Sequence, residues 1–168
     1  MTDSDVAVFT AVPMFIADCH LGRLAKYLRL LGFDTLYYNS ISDDELIEQA
    51  NVQSRIILTR DRGLYERHEA KCIFLEEVET RSQLLELIGA LKLRKLCRPF
   101  SRCLRCNALL EPVAKEAVME LLPPKVVRFF DDFQRCPSCG RIFWHGDHYR
   151  HMQSYVDTLF HDAKSRET

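Results

Sequence analysis

Two pairs of cysteines, Cys103-x-x-Cys106 and Cys136-x-x-Cys139, stand with 29 residues between Cys106 and Cys136. Four thiolates arranged as two such knuckles suit a closed, tetrahedral, structural Zn²⁺ site. Pro137 and Gly140 around the second pair permit the tight turn that aims backbone N–H groups at sulfur. The alternative is four unrelated free cysteines. A redox role fits less well, because neither pair opens a helix in a βαβ setting. His145 and His148 lie nearby, but four cysteines already close the zinc shell.

Asp18, Asp43, Asp44 and Asp61 form the second set of residues capable of chemistry. Clustered carboxylates repel one another unless a cation joins them, and oxygen ligands suit Mg²⁺ or Mn²⁺. Such an ion orients and activates water and stabilises the charge that develops on a phosphodiester under in-line attack. Each acid also has a plainer reading. Asp43 or Asp44 in a first helical turn complements the helix dipole, and Asp61 can be a turn residue. Asp18 closes an apolar run, where a carboxylate needs a partner. Basic residues accompany the acids. Arg23, Lys26 and Arg29 recur every three residues, and Arg60 and Arg62 flank Asp61. Cationic side chains beside a metal site suit a phosphate-bearing substrate. Arg23 falls closest to Asp18; a solvated helix face is the alternative for Lys26 and Arg29. Thr59 either hydrogen-bonds within the site or finishes a strand, and His20 is a lone histidine that fits many roles.

The acids act together only if the fold brings them together. Met14–Asp18 reads as a buried strand ending on an acid. Leu21, Leu24, Ala25, Leu28 and Leu31 follow at helical spacing, with Gly32 as the stop. "DTLYY" is a second strand, and Ser42 with Glu45 forms a capping box for the next helix. Arg55–Thr59 is a third strand, followed by a short helix near Leu64–His68 and a fourth strand, "CIFL". "TRSQLLELIGAL" is a helix whose expected capping box is Thr80 with Gln83. Alternating strands and helices predict an α/β fold with a parallel sheet and helices on its faces. Ligands bind such sheets beyond the carboxyl ends of the strands. Asp18 and Asp61 converge there if the first and third strands are neighbours.

From Leu93 the composition shifts. Arg94, Lys95, Arg98, Arg102 and Arg105 follow with no acid between them. The expected organisation is an α/β domain over 13–92, a basic linker over 93–102 and a zinc ribbon over 103–150, with a loose leader over 1–12 and a polar tail. "PVAKEAVMELLPP" predicts a helix stopped by Pro123 and Pro124. A unit this small cannot hold itself by core burial, so metal supplies its folding energy and its task is to present a surface. The basic linker with Phe100, and a strand "FWHGDHYRH", combine charge with aromatic faces, as single-stranded RNA binding requires. Phe143 and Trp144 serve equally well as ribbon core.

Apolar residues make up 47% of the 168, enough for a real core, and 28% are charged, which argues against disorder. The formal net charge of −1 provides no global positive field, so nucleic-acid contacts must come from local patches. No apolar run is long enough to span a membrane, and no signal-peptide layout is seen. Seven cysteines in an uneven set fit a reducing cytoplasm and a metal better than a disulfide framework.

"FIADCHLGRLAKYLRLLGFDTLYY", "DDELIEQA" and "RIILTRDRGL", followed by the cysteine unit ending in "FWHGDH", resemble the Mut-seven-C family over residues 13–152. That family is a PIN-like ribonuclease domain with an attached zinc ribbon. The resemblance implies a PIN-like three-layer α/β/α sandwich, structural Zn²⁺, and cleavage of single-stranded or structured RNA with Mg²⁺ or Mn²⁺. It carries the family's acids onto Asp18, Asp43 and Asp61. Many PIN nucleases have a fourth acid soon after the last of these; here Arg62 and Gly63 stand instead, with Glu66 more distant. A non-catalytic RNA- or protein-binding adaptor is therefore the alternative. A phosphoacceptor receiver domain fits less well, because Cys19 follows Asp18 and no lysine follows "CIFL". The expected catalytic group is Asp18, Asp43, Asp61 and Arg23. The expected RNA contacts are Lys26, Arg60, Arg62, Arg94, Lys95, Arg98 and Arg102.

Overall fold

The computed structural model describes residues 12–166. Apart from Val12, the expected leader lies outside them. Strands β1 (Phe15–Ala17), β2 (Thr35–Tyr37), β3 (Ile56–Thr59) and β4 (Cys72–Phe74) form a four-stranded parallel sheet in the order β2-β1-β3-β4. Helices α1 (Gly22–Leu30), α2 (Asp43–Val52), α3 (Arg62–Glu66) and α4 (Thr80–Ala90) alternate with the strands. Strand side chains point to opposite faces in turn. Phe15, Ala17, Ile56 and Leu58 face one core with leucines of α1 and α4, while Ile16 and Ile57 face a second core with Leu46, Ile47, Ala50 and Leu64. Helices thus cover both faces, the three-layer arrangement expected.

Helix starts are set by local chemistry. Ser42 and Glu45 form the predicted capping box on α2. On α4 the expected box is replaced: the N-cap is Glu79, whose carboxylate accepts from Ser82 N at 3.0 Å. Gln83 instead donates to the Glu77 and Val78 carbonyls and steadies the loop before the helix. Gly32 has φ +95, and a Cβ there would run into the Arg98 carbonyl. It ends α1 and also lets the linker pass close by.

The cysteine-rich unit is a three-stranded antiparallel sheet of β5 (Glu111–Val113), β6 (Phe133–Arg135) and β7 (Ile142–Phe143). Its spacer departs from the expected single helix. Two 3-10 turns, Lys115–Ala117 and Met119–Leu121, precede the short helix α5 (Pro124–Phe129). Pro124 therefore starts a helix, where its missing N–H costs nothing, and does not stop one. A larger departure follows. The predicted strand over "FWHGDHYRH" ends at Phe143, and α6 (Asp147–Arg166) takes the place of a polar tail. Val156, Leu159 and Ala163 of α6 are buried in the same core as α1 and α4, with Met152, Tyr155 and Phe160 packed around them. The Tyr27 and Tyr155 rings lie 4.8 Å apart, and Arg81 bonds Asp162 at 2.6 Å.

The first cysteine knuckle is fastened to the turn between α1 and β2. Arg29 is buried; its Nε donates to Thr35 O, and its Nη1 donates to the Leu104 and Arg105 carbonyls at 3.1 and 3.0 Å. Asn107 accepts from Thr35 N and donates to Asp34 Oδ1. Arg102 donates to Gly32 O and Asn107 O and lies 3.6 Å from Asp34 Oδ2. A buried polar group must find partners, and these residues find theirs across the junction.

Candidate functional site

The strand order reverses direction between β1 and β3, since the chain leaves β1 for β2 on one side and then adds β3 on the other. The crevice beyond that switch point is where open α/β sheets bind ligands. Here it holds a pocket of about 410 Å³ lined by Asp18, His20, Arg23, Arg60, Asp61 and Gln83, among others.

Register explains why Asp18 and Asp61 meet in it. Ala17 pairs with Leu58, and Asp18 N donates to Leu58 O at 3.0 Å, so Asp18 emerges beside Thr59. Thr59 is fully buried and its hydroxyl donates to Asp18 Oδ2 at 2.8 Å. The same hydroxyl oxygen accepts from Asp61 N at 2.9 Å. Asp18 Oδ1 accepts from Cys19 N at 2.6 Å. This chain of hydrogen bonds holds the nearly buried Asp18 carboxylate in one orientation and links it to the Asp61 backbone. Asp61 Oδ1 caps α3, accepting from Gly63 N and Leu64 N at 2.7 and 3.2 Å. Asp61 was expected as a turn residue or a site acid; it is the N-cap of α3 and it also lines the pocket. Gly22 lets Tyr37 approach α1, and Tyr37 donates to Cys19 O at 3.0 Å.

Asp43 stands exposed in the first turn of α2 and does not line this pocket. It is near enough to act on Cys19, whose thiol is pushed up by burial first, then by Asp18, and least by Asp43. Its neighbour Asp44 bonds Arg67 at 2.7 Å. Asp18, Asp43 and Asp61 are not drawn into one tight ligand set. Among the described residues, the four cysteines are the only group of three or more metal-ligating side chains whose donor atoms lie within 4.8 Å of one another.

Arg23 and Arg60 are exposed and reach the pocket; Arg62, at the start of α3, lies over the Phe74 ring at 4.9 Å. Lys26, Arg94, Lys95 and Arg98 are exposed outside it. Arg102 is committed to the junction described above. Val78, Thr80 and Gln83 also border the pocket. Sequence alone does not single them out, because nothing in their types signals chemistry; only the position of the loop before α4 brings them there.

The cysteine cluster fits zinc. Sulfurs about 3.8 Å apart are what a tetrahedron with Zn–S of about 2.3 Å requires, and Cys103 Sγ lies 3.8 Å from Cys139 Sγ. The knuckles share a backbone. Asn107 N donates to Cys103 O and Gly140 N to Cys136 O, each at 2.9 Å, and both Asn107 (φ 66) and Gly140 (φ 72) are left-handed. Asn tolerates that conformation better than most residues, so Cys-Asn and Cys-Gly end the two knuckles alike. Burial pushes the Cys103 thiol up to about 11, whereas the Arg141 backbone N–H draws the half-buried Cys139 down to about 7. Zinc must displace these protons to bind.

The family model described as Mut7-C RNAse domain matches residues 13–156, spanning both the parallel sheet and the cysteine unit. No curated protein and no solved structure matches the chain.

Proposed function

The chain belongs to the Mut7-C RNAse domain family, and from that premise we propose that it hydrolyses RNA phosphodiester bonds at the pocket between β1 and β3. The observation that carries this reading is the Asp18–Thr59–Asp61 relay at the switch point, with Arg23 and Arg60 on the same pocket. Asp18 and Asp61 would hold Mg²⁺ or Mn²⁺, with Asp43 joining through water. Mg²⁺ keeps several waters and uses one or two carboxylates, which suits two acids in the pocket. Bound there, the ion supplies activation of water and stabilisation of developing charge.

The chain's own groups do the rest. Thr59 and Cys19 N–H fix the Asp18 carboxylate, leaving its remaining lone pairs for the pocket. Arg23 and Arg60 neutralise the scissile phosphate, which otherwise repels an anionic nucleophile. Water adds to phosphorus and the P–O3′ bond breaks, leaving a 3′-hydroxyl and a 5′-phosphate. Arg62, Lys26, Arg94, Lys95 and Arg98 are the proposed outer phosphate contacts. Arg102 leaves that group, because its guanidinium is used at the junction.

The adaptor reading has one observation in its favour: among the described residues, Asp18 and Asp61 are the only acids lining the pocket. Incubating zinc-loaded protein with end-labelled single-stranded RNA, with and without added Mn²⁺, separates the two readings. Cleavage that requires the added ion and leaves 5′-phosphates is expected. RNA binding with no cleavage under either condition would install the adaptor reading.

A further inference from the structure

A second, larger cavity of about 1080 Å³ lies between α1 and the cysteine-held sheet. One wall is aromatic. Phe100 and Tyr149 lie 4.3 Å apart, and His145 stacks on Tyr149 at 4.0 Å with 22° between the planes. Phe143 and Trp144 extend this wall and remain partly exposed. Gly146 lets the Trp144 indole lie against the backbone, since a Cβ there would meet Nε1 at 2.8 Å. These rings are therefore positioned and left at least partly exposed, with Phe100 also packed against the main core.

The rim is cationic. Lys26, Arg105 and Arg141 line the cavity, are exposed, and form no salt bridge or side-chain hydrogen bond among the described residues. Of the three acids on the rim, Asp131 is paired with Lys115 and Asp147 with Arg150, which leaves Asp132 against three cations. Aromatic faces beside unpaired cations suit stacked bases and their phosphates. A small apolar ligand would not need three free cations. The two cavities also share a ridge. Arg23 lines the pocket between β1 and β3, and Lys26, one turn further along α1, lines this one.

We propose that this groove is a subsite for unpaired bases of single-stranded RNA, stacked on Trp144 and the Tyr149–His145 pair, with the backbone crossing Lys26 and Arg23 to reach the β1–β3 pocket. The path of the strand rests on the ribonuclease reading; base stacking in the groove does not require cleavage.

Trp144 is the only tryptophan, so its fluorescence reports the groove alone. The titration uses zinc-loaded protein without added Mg²⁺ or Mn²⁺, a short single-stranded oligoribonucleotide, and an abasic strand of the same length and charge. Saturable quenching by the base-bearing strand is expected, with affinity for the abasic strand weaker by about tenfold or more. Arg105→Gln with Arg141→Gln, both on exposed side chains, should reduce the slope of log K against log[salt] by roughly 0.7 for each phosphate no longer neutralised. Tyr149→Leu, checked for retained zinc and folding, should also weaken the base-bearing strand and leave the abasic one unchanged. Equal affinity for the two strands, or cleavage of RNA with Trp144 unquenched, would overturn the subsite and leave the ribonuclease reading intact. Quenching with base preference, but no cleavage when Mn²⁺ is added, would uphold the subsite and remove the ribonuclease reading.

Discussion

At the scale of single residues, the acids that close strands are legible because an apolar run ending on a carboxylate has no structural excuse. Asp18 is that case, and Thr59 proves to be its partner. Traffic between distant positions is not legible in the same way. Arg29 reads as one of three cations on a helix face, yet it is buried and bonds the carbonyls of Leu104 and Arg105. Asn107 carries no signal beyond following Cys106, although its left-handed backbone and its side chain both join knuckle to sheet. The same junction creates a pH dependence. Burial works against ionisation of Asp34, but hydrogen bonds from Arg55 and Asn107, with the charges of Arg55 and Arg102, outweigh it and hold the carboxyl below its ordinary value. A carboxyl depressed on folding contributes stability that is fully present above the unfolded pKa, about 3.9, and is lost as pH falls through the folded value. Asp34→Asn should therefore lower the melting temperature at pH 7 and lose most of that deficit as the pH falls below about 4. Thermal unfolding of both proteins from neutral to acid pH checks this; a deficit constant with pH would show that Asp34 acts without its charge.

At the scale of elements, strand and helix alternation is plain up to Ala90 because each apolar run is bounded by turn or capping residues. The last helix is not. Its apolar positions, Met152, Tyr155, Val156, Leu159, Phe160 and Ala163, recur at helical spacing but lie among so many polar residues that the segment resembles a tail. Only the periodicity, carried past Tyr149, reveals it. The spacer between the knuckles misleads for the opposite reason: residues that read as good helix formers are broken into two 3-10 turns around the buried Val118. Because Leu159 is fully buried between α6 and the main core, Leu159→Ala should cost about 2–5 kcal/mol. Chemical denaturation measures it, and a change below about 0.5 kcal/mol, typical of surface sites, would mean that α6 does not belong to the core.

At the scale of the whole molecule, the cysteine unit is tied to the parallel sheet by Arg29, Asn107 and Arg102 on one side and by α6 on the other. A basic run reads as a linker in composition whether or not its residues are bound, and here Arg102 bonds across the junction. The tie makes metal a matter for the entire fold. Elemental analysis should find about one zinc per chain, and removing it should lower the melting temperature of the α/β domain as well as unfold the ribbon; a domain whose melting ignores zinc would contradict the tie. The central claim, that this molecule cuts RNA at the β1–β3 pocket, is tested most directly by Asp18→Asn. The substitution nearly keeps the shape and leaves one oxygen to accept from Thr59 or from the Cys19 N–H, but removes the charge at the inner end of the relay. Cleavage of labelled single-stranded RNA in Mn²⁺ should fall by roughly a hundredfold or more, while RNA binding holds or tightens because a charge that repels phosphate is gone. Full cleavage by the Asp18→Asn protein would contradict the account.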